Sequence, residues 1–184
     1  MLTKIYPDLA MFGKALGNGY AITSVIGREK IMKRSKSSFI SSTFWSERSG
    51  FIAANATLNY MSKKKTWRRL VYAGRYINKQ WKKLSIKHGL PIKITGFESI
   101  TQFNFKLKKN DQYITFITQE LLKKNILGTN VIYTNIYHTK KVIDKYVQEL
   151  DQIFGKIKNF EKDKKKHFFL KGKKKSKMFS RLTD

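Results

Sequence analysis

The sequence predicts an α/β fold, in which short strands alternate with longer helices. Three observations support this class. Two short apolar runs flank a glycine-rich turn at 9–26, a helical repeat of apolar residues fills 46–87, and the order β-β-α-β-α follows over 91–157. A chain of 184 residues, 41% of them hydrophobic, can bury one sizeable core or two small ones.

The first half is predicted to hold strands at 9–12 and 20–26 and a short helix or turn at 28–34. A long helical stretch follows from about residue 46 to residue 87. Its second part carries apolar residues at helical spacing, which indicates a buried face: Trp67, Leu70, Val71, Gly74, Ile77, Trp81 and Leu84. The segment Gly89-Leu90-Pro91 ends the stretch, because glycine and proline are typical of helix termini.

The second half is predicted to begin with two half-buried strands at 92–97 and 100–107, where apolar and polar residues alternate. A helix at 111–124 and a strand at 125–137 come next. Thr139 is a candidate cap for a last helix, whose apolar residues again recur every three or four positions: Val142, Ile143, Tyr146, Val147, Leu150, Ile153, Phe154 and Ile157.

Composition excludes several classes of site. The chain has no cysteine, which removes disulfides, thiolate nucleophiles and cysteine-based metal centres. Its three histidines are scattered, so no metal site is expected. No apolar run approaches the roughly 20 residues of a membrane helix, and the N-terminus lacks a signal-peptide pattern. We therefore expect a cytoplasmic protein without a membrane partner.

The formal net charge of +27 allows two interpretations. Lysine greatly outnumbers arginine, which is typical of compositional drift in an AT-rich genome and leaves solvated basic faces. The other interpretation is a real surface for a polyanion. In either case, non-specific polyanion binding is expected at low salt.

The most informative segment surrounds Lys14. An apolar run at 9–12 ends in Gly13 and this lysine, and a turn with Gly17 and Gly19 follows. Such a strand and turn can present one amine where a bulky group must approach the backbone. A lysine so placed can form a Schiff base with a carbonyl cofactor; the alternative is one more solvated lysine.

Segments 7–19, 27–32 and 42–50, taken in this order, resemble successive blocks of the class III, fold type I pyridoxal phosphate-dependent aminotransferases. The similarity is greatest to the branch that contains glutamate-1-semialdehyde aminomutase. Segments 121–128 and 137–139 also match the C-terminal domain of that family. The resemblance covers about residues 1–158 and implies the C-terminal part of a fold type I transferase.

The resemblance implies four regions. Residues 1–62 would be the C-terminal remnant of the large cofactor-binding domain, and 63–90 a connecting helix. Residues 91–158 would form the small C-terminal α/β domain. Residues 159–184 form a lysine-rich tail, whose low complexity predicts disorder.

The resemblance also implies the site. Lys14 would hold pyridoxal 5'-phosphate as a Schiff base and move a proton during amino transfer. Thr43, with Ser42 beside it, would bind the cofactor phosphate of the neighbouring subunit, so the full-length protein would be a homodimer. Its substrates would be a small-molecule amino donor and acceptor. The alternative for Thr43 is a plain helix-entry residue.

The family has elements upstream of the lysine that this sequence lacks: a phosphate loop, an aromatic that stacks on the cofactor ring, and an aspartate that holds the ring nitrogen. We therefore expect a C-terminal portion that is inactive alone. One alternative is a small basic nucleic-acid-binding protein that uses 61–87 and 159–184. Another is a non-catalytic remnant that pairs with a separate N-terminal half.

Overall fold

A computed structural model of the protein describes residues 5–41, 43, 45–163 and 170–175. The chain divides into two compact units, Met1–Thr66 and Trp67–Asp184. Among the described helices, none combines the length and apolar character that crossing a membrane requires.

The first unit contains a two-stranded antiparallel sheet. Strand β1 (Leu9–Phe12) pairs with β2 (Ser24–Gly27), so that Leu9 lies opposite Gly27 and Phe12 opposite Ser24. The strand predicted at 9–12 is confirmed, whereas the one predicted at 20–26 begins later. The reason is that the Tyr20 amide donates to the Gly17 carbonyl at 3.1 Å, which extends the turn after Lys14.

Helices complete the first unit. A single turn of helix, α1 (Glu29–Met32), is followed by a 3-10 turn (Lys33–Ser37) and by α2 (Arg48–Lys64). The predicted continuous helix over 46–87 is interrupted: Lys65 has φ +47° and ψ +47°, and its amide donates to the Met61 carbonyl. This left-handed residue terminates α2.

The second unit begins with α3 (Thr66–His88), which leads into β3 (Ile92–Phe97) and β4 (Ile100–Phe105). Then come α4 (Asn110–Leu122), β5 (Val131–Tyr133) and α5 (Lys140–Lys162). The predicted order β-β-α-β-α is confirmed. The strands form an antiparallel sheet in the order β3-β4-β5.

Strand β5 is shorter than the segment predicted at 125–137. Asn125 has φ +56°, which extended strands do not adopt. The buried Asn130 contacts β4 just before β5 begins: its side chain donates to the carbonyl of Phe103 at 2.7 Å, and its own carbonyl accepts from the Phe103 amide at 3.0 Å.

The core of the second unit lies between the sheet and the apolar faces of its helices. Trp81, Phe103 and Phe154 are completely buried, and the rings of Trp81 and Phe103 meet edge to face at 4.7 Å. The apolar faces predicted for α3 and α5 supply half of its buried residues, and α4 supplies most of the others. Trp67 and Val142 are exceptions on the predicted faces, because they are 48% and 49% exposed.

Both ends of α5 are held by identified contacts. The hydroxyl of Thr139 accepts from the Val142 amide at 3.4 Å, which confirms the predicted cap. The helix continues to Lys162, so residues 159–162 are helical, and Phe160 packs edge to face on Phe116 at 5.6 Å. Residues 170–175 lie against α4: their backbone donates to Gln119 from Lys171 and to Thr115 from Lys175, both at 2.8 Å.

Candidate functional site

Lys14 stands immediately beyond the end of β1. Gly13 separates it from Phe12, and Lys14 begins a 3-10 turn (Lys14–Leu16) with φ +50°. The side chain is exposed and has no hydrogen bond or ion pair with the rest of the described chain. The strand therefore presents an unpaired amine at one defined position.

The turn after Lys14 requires a residue without a side chain at position 17. Gly17 is buried, and a Cβ atom there would lie 2.0 Å from the Tyr20 carbonyl oxygen and 2.8 Å from the Ile22 side chain. The Gly17 amide donates to the Lys14 carbonyl at 3.2 Å. Gly19 has φ +111°, which only glycine adopts readily. Both glycines shape the backbone around Lys14, as the sequence predicted.

A third glycine joins this turn to α2, and sequence reasoning missed it. Gly50 lies in the first turn of α2, and a Cβ atom there would lie 2.7 Å from the carbonyl oxygen of Ala21. The helix start therefore packs directly on the segment that leaves the lysine turn. A sequence signal existed, because glycine weakens a helix and one inside it calls for a packing reason.

Between this helix start and β2 lies an open concavity of about 620 Å³. Ala21, Thr23, Trp45 and Glu47 are among its lining residues, and Lys14 is not. Glu47 precedes α2 without a side-chain cap for the first-turn amides. These amides carry the positive end of the helix dipole and favour an anion, whereas the Glu47 carboxylate opposes one.

The predicted phosphate residues lie ahead of the same helix. Thr43 is exposed in a turn five residues before α2 begins, and within the described residues no hydrogen bond joins it to Lys14. Ser42 lies outside the described residues.

Asp8 pairs with Arg28 at 3.1 Å, so its carboxylate is engaged between the start of β1 and the end of β2.

The second unit has a separate concavity of about 500 Å³ between β5 and α5. Its lining is mainly apolar, with Ile126, Tyr133 and Val142 among the residues. His138 also lines it, and burial lowers the pKa of this histidine. No site residue predicted from the sequence falls here.

The strand, the lysine turn and the small α/β unit together match a known family. The family described as Aminotransferase class-III matches residues 1–154 of this chain. The chain therefore belongs to the class III aminotransferases. The fold is that of the C-terminal part of a fold type I transferase, and the cofactor of this family is pyridoxal 5'-phosphate.

Two curated relatives illustrate the match. The chain is 29% identical to the 3-aminobutyryl-CoA aminotransferase of Cloacimonas acidaminovorans over 126 residues, which are 66% of this chain and 30% of that protein. It is 22% identical to the glutamate-1-semialdehyde 2,1-aminomutase of Methanocaldococcus jannaschii over 167 residues, covering 82% of this chain and 39% of that protein.

Solved structures show the same fold. The FumI protein of Sphingopyxis sp. MTA144, in its PLP internal aldimine form, superposes with a TM-score of 0.77 at 24% identity and covers 86% of this chain. A β-phenylalanine aminotransferase from Variovorax paradoxus gives 0.74 at 20% identity and covers 83% of it. In both cases this chain spans 39% of the solved chain, so it corresponds to about two fifths of the complete fold.

Proposed function

We propose that this chain is the C-terminal portion of a pyridoxal phosphate-dependent aminotransferase, with Lys14 as the residue that bonds the cofactor. The observation that carries the proposal is the placement of that lysine. Its amine is exposed and unpaired within the described residues, and it follows a strand and precedes a turn that only glycine at position 17 permits. Transfer of an amino group between small molecules is the proposed reaction, and an intramolecular shift is the alternative.

The side chains present fit two ends of pyridoxal phosphate. A lysine amine is the group that condenses with an aldehyde, and a hydroxyl can donate a hydrogen bond to a phosphate oxygen. Lys14 supplies the first; Thr43, with Ser42, is proposed to supply the second. Asp8 is paired with Arg28 and does not stand in for an acid at the ring nitrogen. That acid would come from outside this chain.

When bound, the cofactor supplies an electron sink for the carbon that carries the amino group. The residues of this chain have two roles: they position the reacting groups, and they move a proton. Lys14 would hold the cofactor through its Nζ atom, and the same nitrogen would act as the base that takes the proton from that carbon and gives it up again within the site. The tight turn at Gly17 limits where this nitrogen can lie, which favours proton transfer at one atom.

Thr43 and Ser42 are proposed to act across a subunit interface. The membership of residues 1–154 in the class III aminotransferases, which are typically dimeric, supports this role. A homodimer of the complete protein follows from this arrangement. The cytoplasmic location expected from the sequence stays a prediction.

We propose further that the 184-residue chain does not transfer amino groups alone. Apolar side chains of the first unit are largely exposed, among them Met11 at 83%, Phe39 at 97% and Ile52 at 67%. Its buried residues, among those described, are Gly17, Gly50, Ala54 and Thr66. Such a unit has little core of its own, so it needs further protein to fix Lys14 against a cofactor.

Borohydride reduction tests the assignment. The protein is purified from its native source, reduced, and examined by intact mass and peptide mapping. We expect a pyridoxyl group on the peptide that contains Lys14, in a chain longer than 184 residues. The recombinant 184-residue chain is incubated with pyridoxal phosphate and assayed in parallel without reduction, and we expect no amino transfer.

Two variants sharpen the result. Lys14→Arg keeps the charge and removes the condensing amine, whereas Lys36→Arg makes the same change at another exposed lysine of the first unit. We expect Lys14→Arg to abolish specific labelling and Lys36→Arg to leave it unchanged. A native protein labelled at other lysines but not at Lys14 would refute the assignment.

A further inference from the structure

The solvent-facing side of α3 carries a stripe of residues that is rich in cations. The helix contains seven Lys or Arg and no Asp or Glu. The members of the stripe recur at i, i+4 and i+7, and all are exposed: Arg68, Tyr72, Arg75, Lys79, Lys82, Lys83 and Ile86. We call this surface the α3 stripe. At 1.5 Å per residue it is about 27 Å long, and it lies opposite the buried Ile77 and Trp81.

The charges of the stripe are mostly unneutralised. Among the described residues, ion pairs link two α3 cations to carboxylates: Arg75 to Glu98 at 3.3 Å, and Lys87, outside the stripe, to Asp151 at 2.5 Å. Helix α5 differs, since it holds four acidic residues among its lysines. The α3 stripe therefore has a positive field that α5 lacks.

Lysine-rich drift does not explain the composition of α3. The whole chain has seven arginines, and three of them lie here: Arg68, Arg69 and Arg75. Arginine binds phosphate through a planar fork and stacks on bases, whereas lysine acts as a point charge. The concentration of arginine on one acid-free helix points to a ligand that carries phosphates.

An aromatic platform lies inside the same stripe. Tyr72 is 61% exposed, and its ring is parallel to that of Tyr76, with centroids 6.4 Å apart. Beyond it lies an open concavity of about 460 Å³, which is lined by Lys79, Lys82 and Lys83 and by the ion pair of Arg75 with Glu98. Cations that follow a backbone, together with an exposed ring for a base, are the elements of single-strand binding.

We propose that the α3 stripe binds single-stranded nucleic acid. The cations at 68, 79, 82 and 83 contact successive phosphates, and Tyr72 stacks on one base. A duplex keeps its bases paired and stacked on one another, so Tyr72 has no free base to receive there. The surface does not depend on the site around Lys14.

The test uses the full 184-residue chain and labelled single-stranded RNA and DNA of about 12 nucleotides, with fluorescence anisotropy at several salt concentrations. The variant Arg68→Gln/Lys79→Gln/Lys82→Gln removes three charges from the stripe. We expect its affinity to fall roughly tenfold or more. The slope of log affinity against log salt should decrease by about 2, since each lost phosphate contact contributes about 0.7 for a single strand.

A matched control separates the effect of the α3 stripe on binding from the effect of the total charge. Lys106→Gln/Lys108→Gln/Lys109→Gln removes three exposed cations from the loop between β4 and α4. We expect it to change the affinity less than twofold. Equal losses of affinity in the two variants would mean that binding depends on total charge and not on the α3 stripe, and would overturn the proposal. Circular dichroism checks that both variants keep the helix content of the parent.

A second variant tests the base contact. Tyr72→Ala removes the ring and no charge, and Tyr137→Ala is its control at another exposed tyrosine, 77% exposed. We expect about fivefold weaker binding for Tyr72→Ala alone. The proposal fails if Tyr72→Ala binds like the parent, or if a duplex of the same length binds as tightly as the single strands.

Discussion

The Cβ atom that Gly17 lacks would lie 2.0 Å from the carbonyl oxygen of Tyr20. The same two residues are joined through their backbones, because the Tyr20 amide donates to the Gly17 carbonyl at 3.1 Å. The turn thus closes on itself between Gly17 and Tyr20, three and six residues after Lys14. The position of the lysine amine therefore depends on a residue that has no side chain.

Replacing Gly17 tests this dependence. Gly17→Ala forces the Tyr20 carbonyl away, a clash that typically costs about 1–3 kcal/mol. In the complete protein we expect at least a tenfold lower yield of pyridoxyl label on Lys14. The control is Asn18→Gly, which adds no atom at a residue with φ +47°. Equal labelling of Gly17→Ala and the parent would show that the turn does not position Lys14.

Comparing two ligands, one with a phosphate and one without, distinguishes a phosphate-binding Thr43 from a plain helix-entry residue. We expect Thr43→Ala to weaken binding of pyridoxal phosphate to the complete protein by roughly tenfold, the effect of losing one hydrogen bond to a charged group. Binding of pyridoxal, which has no phosphate, should stay unchanged. Absorbance titration measures both. An equal loss for the two ligands would mean that Thr43 serves the fold and not the phosphate.

The sequence predicted those features that depend on neighbours along the chain. Alternation located β3 and β4, helical spacing identified the buried faces of α3 and α5, and the apolar run before Lys14 identified β1. The break at Lys65 could not be predicted, because a lysine in the left-handed conformation has no characteristic sequence. The roles of Gly50 and Gly74 also depend on distant backbone: a Cβ atom on Gly74 would lie 1.7 Å from the Glu98 carbonyl oxygen.

In the candidate site, too, local features could be predicted from the sequence and tertiary contacts could not. The position of Lys14 could be predicted from its neighbours along the chain, because the strand, the lysine and the turn follow one another directly. The packing of α2 on the segment after the turn is a tertiary contact, and only the structure shows it. The partners expected around the cofactor ring come from neither source, because the family places them upstream of the lysine.

A buried hydrogen bond between α3 and α5 gives a prediction for the second unit. The indole nitrogen of Trp81 donates to the hydroxyl of Tyr146 at 3.1 Å, and both side chains are buried. Tyr146→Phe leaves the indole N–H without its partner. We expect the free energy of unfolding to fall by about 1–2 kcal/mol in urea titrations.

The control is Tyr113→Phe, which removes a hydroxyl at the far end of α5 that donates to Glu161. The double variant Trp81→Phe/Tyr146→Phe separates the hydrogen bond from packing. Its loss should be smaller than the sum of the two single losses, because Trp81→Phe already removes the donor. Strict additivity would show that the two groups do not interact energetically.

The last prediction concerns Glu120, which is 8% exposed on α4. Its carboxylate accepts from Lys123 and from Lys156, the latter at 2.8 Å. Burial alone would raise the pKa of Glu120, but these two ammonium groups outweigh it and lower the pKa from 4.5 to about 2. The folded state therefore favours the charged carboxylate.

The contribution of Glu120 to stability depends on pH. Above pH 4.5 the carboxylate is charged in both states, and its contribution to stability is complete, up to about 3 kcal/mol for a shift of this size. As the pH falls from 4.5 towards 2, the unfolded state takes up the proton first and the contribution is lost. We expect Glu120→Gln to lower the free energy of unfolding by about 2–3 kcal/mol at pH 7 and by much less near pH 2.5.

Urea titrations at pH 7, 5, 3.5 and 2.5, followed by far-ultraviolet circular dichroism, measure this difference directly. Glu149→Gln is the matched control, because Glu149 makes one longer ion pair, 3.6 Å to the exposed side chain of Lys124. It should cost less than about 1 kcal/mol at every pH. A Glu120→Gln effect that stays constant from pH 7 to pH 2.5 would mean that Glu120 stabilises the unit through packing and not through its charge.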